Sequence, residues 1–442
     1  MKNFISISKT IQPFNKNLTI EGDKSLSIRW ALLASQASGK SKSINLLKSE
    51  DVIDTLRCLK KLGIKVRLTK NFCEIIGNGL NKFKYKKNLV LNAGNSGTLG
   101  RLLIGLLIHS NEKIKIIGDK SLSRRDFSRV INPLNEIGVK FYPRGKKKLP
   151  ISILGSNYLR PISYFEKKGS AQCKTCVMFA SLNTPGEMRI FAKKSRNHSE
   201  LMFNYLNIPI KISSGRDIDI IKTSSPYKLN KFNINIPGDI SSGAFFIALT
   251  LLSKNSQLTL KNINLNPTRL GILKILKKMG ADIKTSNIKI NNGERCGDIF
   301  VKSTHKLKSI NCPASLNSSA IDEFLIIFLI AAKSKGISYF KDLSELNKKE
   351  SPRLKLGSKI LNMIGIKTKL TNSSIKIYGN PNINLNKEYE IKNYLKDHRI
   401  MAMCTIAALT FGGNWKIYDP ESIKTSFPSF LKILRNKFGV KI

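Results

Sequence analysis

A pattern that recurs six times along these 442 residues limits the possible folds. Each time, an apolar and helix-like segment ends at a glycine or asparagine, and a short stretch of alternating apolar and polar residues follows. The spacings between successive end residues are 75, 69, 73, 85 and 74 residues. The six end residues are Gly63, Gly138, Asn207, Gly280, Gly365 and Gly439.

Glycine and asparagine are the residues that best tolerate the left-handed backbone conformation that ends a helix. Alternation with a period of two indicates a half-buried strand. One helix-to-strand junction is common in any α/β protein, but six at nearly constant spacing indicate six copies of one unit of roughly 70 residues. We therefore predict an α/β fold with two domains of three units each.

The net charge of +47, from 76 Lys and Arg against 29 Asp and Glu, is the second unusual feature. It favours either a nucleic-acid-binding protein or an excess of lysine around a site for anionic small molecules. The lysines are dispersed along the chain, and no dense basic block or aromatic RNA-binding motif accompanies them. We expect no specific nucleic-acid partner, but an attraction for anionic substrates.

The first candidate site lies at residues 22–29, which have the sequence GDKSLSIR and precede an apolar helical stretch. Asp23 or Ser25 can accept hydrogen bonds from the free N–H groups at the helix start. Lys24, Ser25 and Arg29 then lie near the positive end of the helix dipole, which favours a phosphate or carboxylate. The alternative is an ordinary capped helix.

A second glycine-rich turn, NAGNSGTLGR at residues 92–101, follows a short apolar strand. Its glycines, Gly97 among them, permit close approach of the backbone to a ligand. The turn lacks the Gly-Lys-Ser/Thr ending of a Walker A loop and the glycine spacing of a dinucleotide fold.

Together these two segments resemble the motifs of enolpyruvyl transferases, and further matches extend towards the C-terminus. They are GDKSLSRR at 118–125, GSAQCK at 169–174, SRNH at 195–198, PGDISSGAFF at 237–246, IDE at 321–323, KKESPR at 348–353, DHRIMAM at 397–403 and KTSFP at 424–428. Two positions depart from the family pattern: Asp126 replaces a proline, and Pro352 replaces an aspartate.

The resemblance implies helices packed inside the sheets and a substrate cleft between the domains. It places domain I at residues 1–23 plus 239–442 and domain II at 24–238. The GDKS and SAQxK segments favour the shikimate branch of the family, whose substrates are shikimate 3-phosphate and phosphoenolpyruvate.

The implied ligands of shikimate 3-phosphate are Lys24, Ser25, Arg29, Ser170, Ala171 through its backbone, Gln172, Ser195, Asp322 and Lys349. The implied ligands of phosphoenolpyruvate are Lys24, Gly97, Arg125, Gln172, Arg353, Arg399 and Lys424.

In the family's addition–elimination reaction, the 5-hydroxyl of shikimate 3-phosphate attacks carbon 2 of phosphoenolpyruvate while the methylene is protonated. Two groups that transfer protons are needed. The resemblance implies Asp322 as the base, Glu350 as the acid and Lys24 as a third catalytic residue. Helix-capping or surface carboxylates remain the alternative interpretation of Asp322 and Glu350.

Two other functions stay open. An enolpyruvyl transferase acting on UDP-N-acetylglucosamine typically has a reactive cysteine near the phosphoenolpyruvate-binding arginine, and residues 121–129 contain none. A basic RNA-end-binding or cyclising protein would retain affinity for RNA at moderate salt, whereas binding through dispersed lysines would fade.

We further expect a cytoplasmic monomer without a cofactor, a metal or a membrane contact. No apolar run reaches the roughly 20 residues of a membrane helix, and the N-terminus lacks a signal sequence. Seven scattered cysteines indicate a reducing compartment. Cys173 and Cys176 have no partner motif nearby that would complete a zinc site.

Overall fold

The structure is a computed structural model that describes residues 3–442. Its strands are β1 (Phe4–Ile7), β2 (Asn15–Thr19), β3 (Ser38–Ile44), β4 (Lys65–Leu68), β5 (Phe72–Asn78), β6 (Val90–Asn92), β7 (Ile114–Ile117), β8 (Lys140–Tyr142), β9 (Ile151–Leu154), β10 (Ser163–Glu166), β11 (Glu187–Lys193), β12 (Ile210–Ser214), β13 (Ile218–Ser224), β14 (Asn233–Asn235), β15 (Gln257–Asn264), β16 (Asp282–Asn291), β17 (Glu294–Lys302), β18 (Gly336–Phe340), β19 (Thr368–Leu370), β20 (Ile375–Gly379), β21 (Leu385–Ile391) and β22 (Gly412–Tyr418).

The α-helices are α1 (Lys24–Gln36), α2 (Glu50–Lys61), α3 (Gly97–Leu106), α4 (Ser128–Ile137), α5 (Ala171–Ser181), α6 (His198–Tyr205), α7 (Ile240–Leu252), α8 (Gly271–Lys278), α9 (Asn317–Ala320), α10 (Phe324–Ala332), α11 (Arg353–Met363), α12 (His398–Phe411) and α13 (Phe430–Phe438). Short 3₁₀ helices lie at Leu122–Arg124, Pro267–Arg269, Ala314–Leu316, Ser344–Lys348 and Pro420–Thr425.

The chain forms two compact units. Unit 1 contains the residues up to Glu21 with Pro237–Lys289 and Arg295–Ile442, and unit 2 contains Gly22–Ile236 with Ile290–Glu294. The sequence predicted domain I at 1–23 with 239–442 and domain II at 24–238. These boundaries differ from those of the two units by two residues at each of the two points where the chain passes from one unit to the other. The prediction also placed residues 290–294 in domain I, whereas the structure places them in unit 2. Residues 1 and 2 of the first segment lie outside the described range.

Across residues 3–442 the strands form six sheets, three in each unit. Unit 2 contains the sheets β14-β3-β5-β4, β6-β7-β9-β8 and β10-β11-β13-β12, and unit 1 contains β2-β15-β17-β16, β18-β20-β19 and β21-β22-β1. In the β6–β9 sheet, β6 and β7 are parallel and β7, β9 and β8 are antiparallel. The same arrangement recurs in the β10–β13 sheet. The predicted α/β class with repeated units is confirmed.

Each repeat contributes one interior helix and one surface helix. The interior helices α1, α3 and α5 of unit 2, and α7, α10 and α12 of unit 1, are buried over almost their whole length. A helix that is apolar all round must be enclosed. In unit 1 these three helices contact one another pairwise, and in unit 2 α3 contacts both α1 and α5. The helices therefore lie inside the sheets, as expected.

The six predicted junctions end helices in the expected way. All six end residues have positive φ, from 54° at Asn207 to 121° at Gly138. Five of them lead into a strand. The prediction of a strand after Gly439 is wrong, because residues 440–442 form none. In the β10–β13 sheet the strand after the junction, β12, pairs with β13 at the edge of the sheet. The described part of the sixth sheet has the order β21-β22-β1, with Phe4 opposite Tyr418, and lacks such an edge strand.

No single helix within residues 3–442 is long and apolar enough to cross a membrane. The segments Ala314–Ala320 and Phe324–Ala332 reach the required length and hydropathy only as a pair, and the chain bends by 119° between them.

Candidate functional site

Most predicted site residues of unit 2 lie at the starts of its interior helices. Asp23 accepts a hydrogen bond from Leu26 N at 2.9 Å and so caps α1, which begins at Lys24. Ser96 and Ser170 cap α3 and α5 in the same way. The first N–H groups of a helix have no partner within it and carry partial positive charge. Each of these three helix starts therefore has positive partial charge, which favours an anionic ligand, and each contains a predicted site residue.

Arg29 is buried within unit 2 and contacts only neutral groups. Its Nε donates to Ser199 Oγ at 2.8 Å, Nη1 donates to the Ser25 carbonyl at 3.1 Å and Nη2 donates to Thr175 Oγ1 at 3.3 Å. It forms no ion pair with any residue of the described range. Burial lowers the pKa of Arg29 to about 10. An enclosed guanidinium of this kind gains most from an anionic ligand.

Gly97, Arg125 and Gln172 lie together. A Cβ added at Gly97 would lie 2.8 Å from Arg125 Nη1 and 3.7 Å from Gln172 Oε1. Gln172 donates from Nε2 to Thr98 Oγ1 at 2.9 Å and accepts from Arg101 Nη1 at 2.7 Å. Two arginines therefore border the glycine turn, with a side-chain amide between the helices α3 and α5.

The remaining residues of this group are Lys24 and Ser195. Lys24 Nζ forms an ion pair with Asp51 at 2.8 Å. The Ser195 hydroxyl is buried and has no hydrogen-bond partner among the described residues. We call the set the unit-2 cluster; it comprises Lys24, Ser25, Arg29, Gly97, Arg101, Arg125, Ser170, Ala171, Gln172 and Ser195.

A second cluster forms in unit 1 around Asp322. Lys349 Nζ lies 3.2 Å from Asp322 Oδ1, and Arg353 Nη1 lies 3.5 Å from the same oxygen. Arg399 Nη1 donates to the backbone carbonyl of Asp322 at 2.6 Å. Asp322, Lys349, Glu350, Arg353 and Arg399 are the unit-1 cluster.

Asp397 caps α12 and anchors this cluster. Its carboxylate accepts from Arg353 Nε at 2.9 Å and Nη2 at 3.2 Å, and from Ser351 Oγ at 2.7 Å. Burial opposes the charge of Arg353, but Asp397, Glu350 and Asp322 outweigh it and raise its pKa above the usual value. Burial likewise opposes ionisation of Asp397, yet Arg353 lowers its pKa below the usual range. Both groups are therefore held charged.

Comparison with known proteins identifies the family of the chain. The model of the EPSP synthase (3-phosphoshikimate 1-carboxyvinyltransferase) family matches residues 8–434. The chain belongs to the EPSP synthase family. It is 37% identical to the 3-phosphoshikimate 1-carboxyvinyltransferase of Petrotoga mobilis, over 95% of this chain and 96% of that protein. It is 38% identical to that of Vesicomyosocius okutanii, over 98% of both chains.

Solved structures give the same result. An EPSP synthase from Acinetobacter baumannii has a TM-score of 0.86 and 32% identity, and the match covers 99% of this chain and 98% of that one. The enolpyruvyl transferase NikO from Streptomyces tendae has a TM-score of 0.76 at 13% identity, which shows the shared fold alone.

Lys424 is the predicted site residue that belongs to neither cluster. It lies in the 3₁₀ helix Pro420–Thr425, is half exposed and pairs with Glu421. Its assignment to phosphoenolpyruvate remains a prediction.

The two departures from the family pattern have local compensation. Asp126 accepts from Ser128 N and from Ser128 Oγ, both at 2.8 Å, which orders the turn before α4 as a proline would. Burial opposes its ionisation, but these hydrogen bonds with nearby Arg129 and Lys147 lower its pKa. Pro352 precedes α11, a position where its missing N–H costs nothing. Asp397 and Glu350 hold Arg353 without a carboxylate at 352.

Arg101 and Asp397 belong to the clusters but were not predicted from the sequence. Arg101 ends the glycine turn on α3 and is one turn away from Gly97, so helical spacing could have found it. Asp397 opens a segment that was matched, but its pairing with Arg353, 44 residues earlier, is visible only in the fold.

Proposed function

We propose that the two clusters carry out the reaction of the EPSP synthase family. The chain transfers the enolpyruvyl group of phosphoenolpyruvate to the 5-hydroxyl of shikimate 3-phosphate and releases phosphate, a step of the shikimate pathway to aromatic amino acids. The assignment of residues to the two substrates rests chiefly on Arg29, a buried arginine with only neutral partners among the described residues.

In this proposal the unit-2 cluster binds the phosphate and carboxylate groups. Arg29, Ser195 and Ser170, with the backbone N–H of Ala171, bind the phosphate of shikimate 3-phosphate. Arg125 and Gln172 bind phosphoenolpyruvate beside Gly97, whose lack of a side chain leaves room between two guanidinium groups. Charge-assisted hydrogen bonds of this kind are about twice as strong as neutral ones.

The unit-1 cluster supplies the proton transfers. Lys349 and Arg353 lie against Asp322 and favour its ionised form, which a base requires. Glu350 must hold a proton to act as the acid, although Arg353 lies 2.5 Å from it. The negative charges of phosphoenolpyruvate, drawn in by Arg399, favour that protonation when the substrate binds.

The proposed reaction has two steps, addition and elimination. The 5-hydroxyl oxygen bonds to carbon 2 of phosphoenolpyruvate, its proton passes to Asp322, and the methylene carbon takes a proton from Glu350. In the second step the carbon–oxygen bond to the phosphate breaks, and the methyl group returns its proton to Glu350. The proton on Asp322 leaves with inorganic phosphate.

Phosphate release tests the reaction and the base together. Purified protein is mixed with phosphoenolpyruvate and either shikimate 3-phosphate or UDP-N-acetylglucosamine. We expect release with shikimate 3-phosphate alone, and a loss of at least 100-fold in kcat for Asp322→Asn, in line with the usual effect of an acid–base residue. Asp298→Asn is the matched control, because Asp298 also pairs with a lysine, Lys261 at 2.9 Å, outside the cluster.

Phosphate release with UDP-N-acetylglucosamine but not with shikimate 3-phosphate would show that the chain transfers the enolpyruvyl group to the nucleotide sugar. Normal turnover by the Asp322→Asn variant would remove Asp322 from the mechanism.

We also propose that the enzyme is a cytoplasmic monomer. All seven cysteines, from Cys58 to Cys404, lie in the described range and carry free thiols, as a reducing compartment favours. Light scattering on the protein as it elutes from a size-exclusion column should give the mass of one chain, 49.5 kDa. A mass of two chains would contradict the monomer.

A further inference from the structure

The first turn of α6 is a buried polar anchor. His198, Ser199 and Glu200 are each at most 3% exposed. His198 Nδ1 lies 2.6 Å from Glu294 Oε1, and Glu200 forms an ion pair with Lys174 of α5. Buried charges of this kind require partners, because an unpaired ion in a protein interior costs several kcal/mol.

The ion pair and a hydrogen bond join α5 to α6 at adjacent residues. Lys174 pairs with Glu200, and next to it Thr175 Oγ1 and Ser199 Oγ lie 2.6 Å apart. Both hydroxyl oxygens also accept from the Arg29 guanidinium. The direction of the Arg29 side chain therefore depends on the register of α6 against α5.

The charges agree with this geometry. Lys174 and Arg29 are two buried cations within unit 2, and Glu200 forms the ion pair with Lys174. Burial lowers the pKa of Arg29 to about 10, and Glu200 is the charged neighbour that opposes this most strongly. Asp23 and Glu294 act in the same direction and Arg196 against it.

We propose that the Lys174–Glu200 ion pair is a positioning device for the phosphate site: it fixes the first turn of α6 against α5, so that Ser199 and Thr175 aim the Arg29 guanidinium at the ligand. The proposal rests on the assignment of Arg29 to shikimate 3-phosphate made above. Glu200 and Lys174 act through Arg29 and touch no reacting atom.

Steady-state kinetics of Glu200→Gln test the proposal. We expect the KM for shikimate 3-phosphate to rise at least tenfold, while the KM for phosphoenolpyruvate changes less than twofold. Glu200→Asp, which keeps the charge, should recover part of the loss. A merely structural pair would lower the melting temperature and the yield but leave both KM values of the folded enzyme unchanged, and that result would overturn the proposal.

Thr175→Val is a second test of the proposal, to be used if Glu200→Gln does not fold. It preserves the side-chain shape and the ion pair but removes the oxygen that accepts from Arg29. A rise of several-fold in the KM for shikimate 3-phosphate is expected, and an unchanged KM would count against the device. Asp298→Asn again serves as a matched control that should lower stability alone.

A double-mutant cycle with Arg29→Gln separates this inference from the proposed function. If Glu200 and Thr175 act through Arg29, their substitution should change the KM by less than twofold in the Arg29→Gln background. Full additivity would overturn the positioning role alone. An unchanged KM in Arg29→Gln by itself would instead overturn the assignment of Arg29, and this inference with it.

Discussion

At the residue scale, the two buried arginines Arg29 and Arg353 have pKa values shifted in opposite directions. Among residues 3–442, Arg29 donates hydrogen bonds to neutral oxygens only, and burial lowers its pKa to about 10. Arg353 is also buried, but three carboxylates surround it and raise its pKa. Carboxylates thus balance the charge of Arg353 within the protein. The hydrogen-bond partners of Arg29 are neutral, which is the basis for proposing an anionic ligand there.

The Arg353–Asp397 pair should make stability depend on pH in a defined direction. The pKa of Asp397 is lowered on folding, so its contribution is fully present above the unfolded value of about 3.9 and is lost as the pH falls through the lower folded value. Urea unfolding between pH 7 and pH 3 should show this decline in the free energy of unfolding.

The control is Asp397→Asn. It should be less stable at neutral pH by about 3–5 kcal/mol, because Arg353 remains buried, and the difference from the native protein should shrink on acidification. A constant difference across the pH range would contradict the coupling.

Gly97→Ala should weaken the binding of phosphoenolpyruvate. The added methyl group would lie 2.8 Å from Arg125 Nη1 and 2.9 Å from Arg101 Nη1, so both flexible guanidinium groups must move. We expect the KM for phosphoenolpyruvate to rise several-fold and the KM for shikimate 3-phosphate to change little. Gly100→Ala on the same helix faces Phe127 and not the arginines, and serves as the control. Equal effects on both substrates would contradict the local explanation.

At the scale of elements, a glycine at a helix end can be required for two reasons: its backbone has a positive φ, and a Cβ would collide with a neighbouring atom. Gly63 has φ of 80°, and a Cβ there would lie 2.5 Å from the Lys84 carbonyl oxygen. Gly145 of the same unit has φ of 76° with no atom within 4 Å of such a Cβ. We expect Gly145→Ala to cost about 1–2 kcal/mol through the left-handed conformation alone, and Gly63→Ala to cost more.

Urea unfolding of the two variants checks this difference. Equal decreases in the free energy of unfolding would mean that the backbone near Lys84 moves at little cost. The positive φ alone would then explain the glycine at this helix end.

The interior helices explain why the site residues recur at equivalent places. In unit 2 the helices α1, α3 and α5 each begin with a capping residue followed by a predicted ligand. In unit 1 Arg399 similarly follows Asp397 at the start of α12. Repetition of one unit therefore multiplies helix starts, and the positive ends of their dipoles suit substrates with several negative charges.

At the scale of the whole molecule, the charge of +47 must oppose folding by self-repulsion. Salt shortens the screening length from about 30 Å at 0.01 M to about 10 Å at 0.1 M. The melting temperature should therefore rise between these concentrations of NaCl. An uncharged solute at matched osmolality is the control, and an equal rise in that solute would show that screening is not the cause.

The repeats and most of the site could be predicted because their signals are local. The glycine at a helix end, the alternation of a strand and the motifs at helix starts each occupy a few neighbouring residues, as at residues 22–29 and 92–101. These signals predicted the α/β class, the six helix ends and Lys24 and Arg29 as candidates, and the resemblance to the family added Gln172.

Only the tertiary structure decided what depends on residues that are distant in sequence. Arg29 contacts Thr175 and Ser199 at separations of 146 and 170 residues, and β1 completes the sixth sheet by pairing with β22. No local pattern encodes such partners. They follow from the packing of helices within sheets, which brings buried polar groups together because each must find a partner away from water.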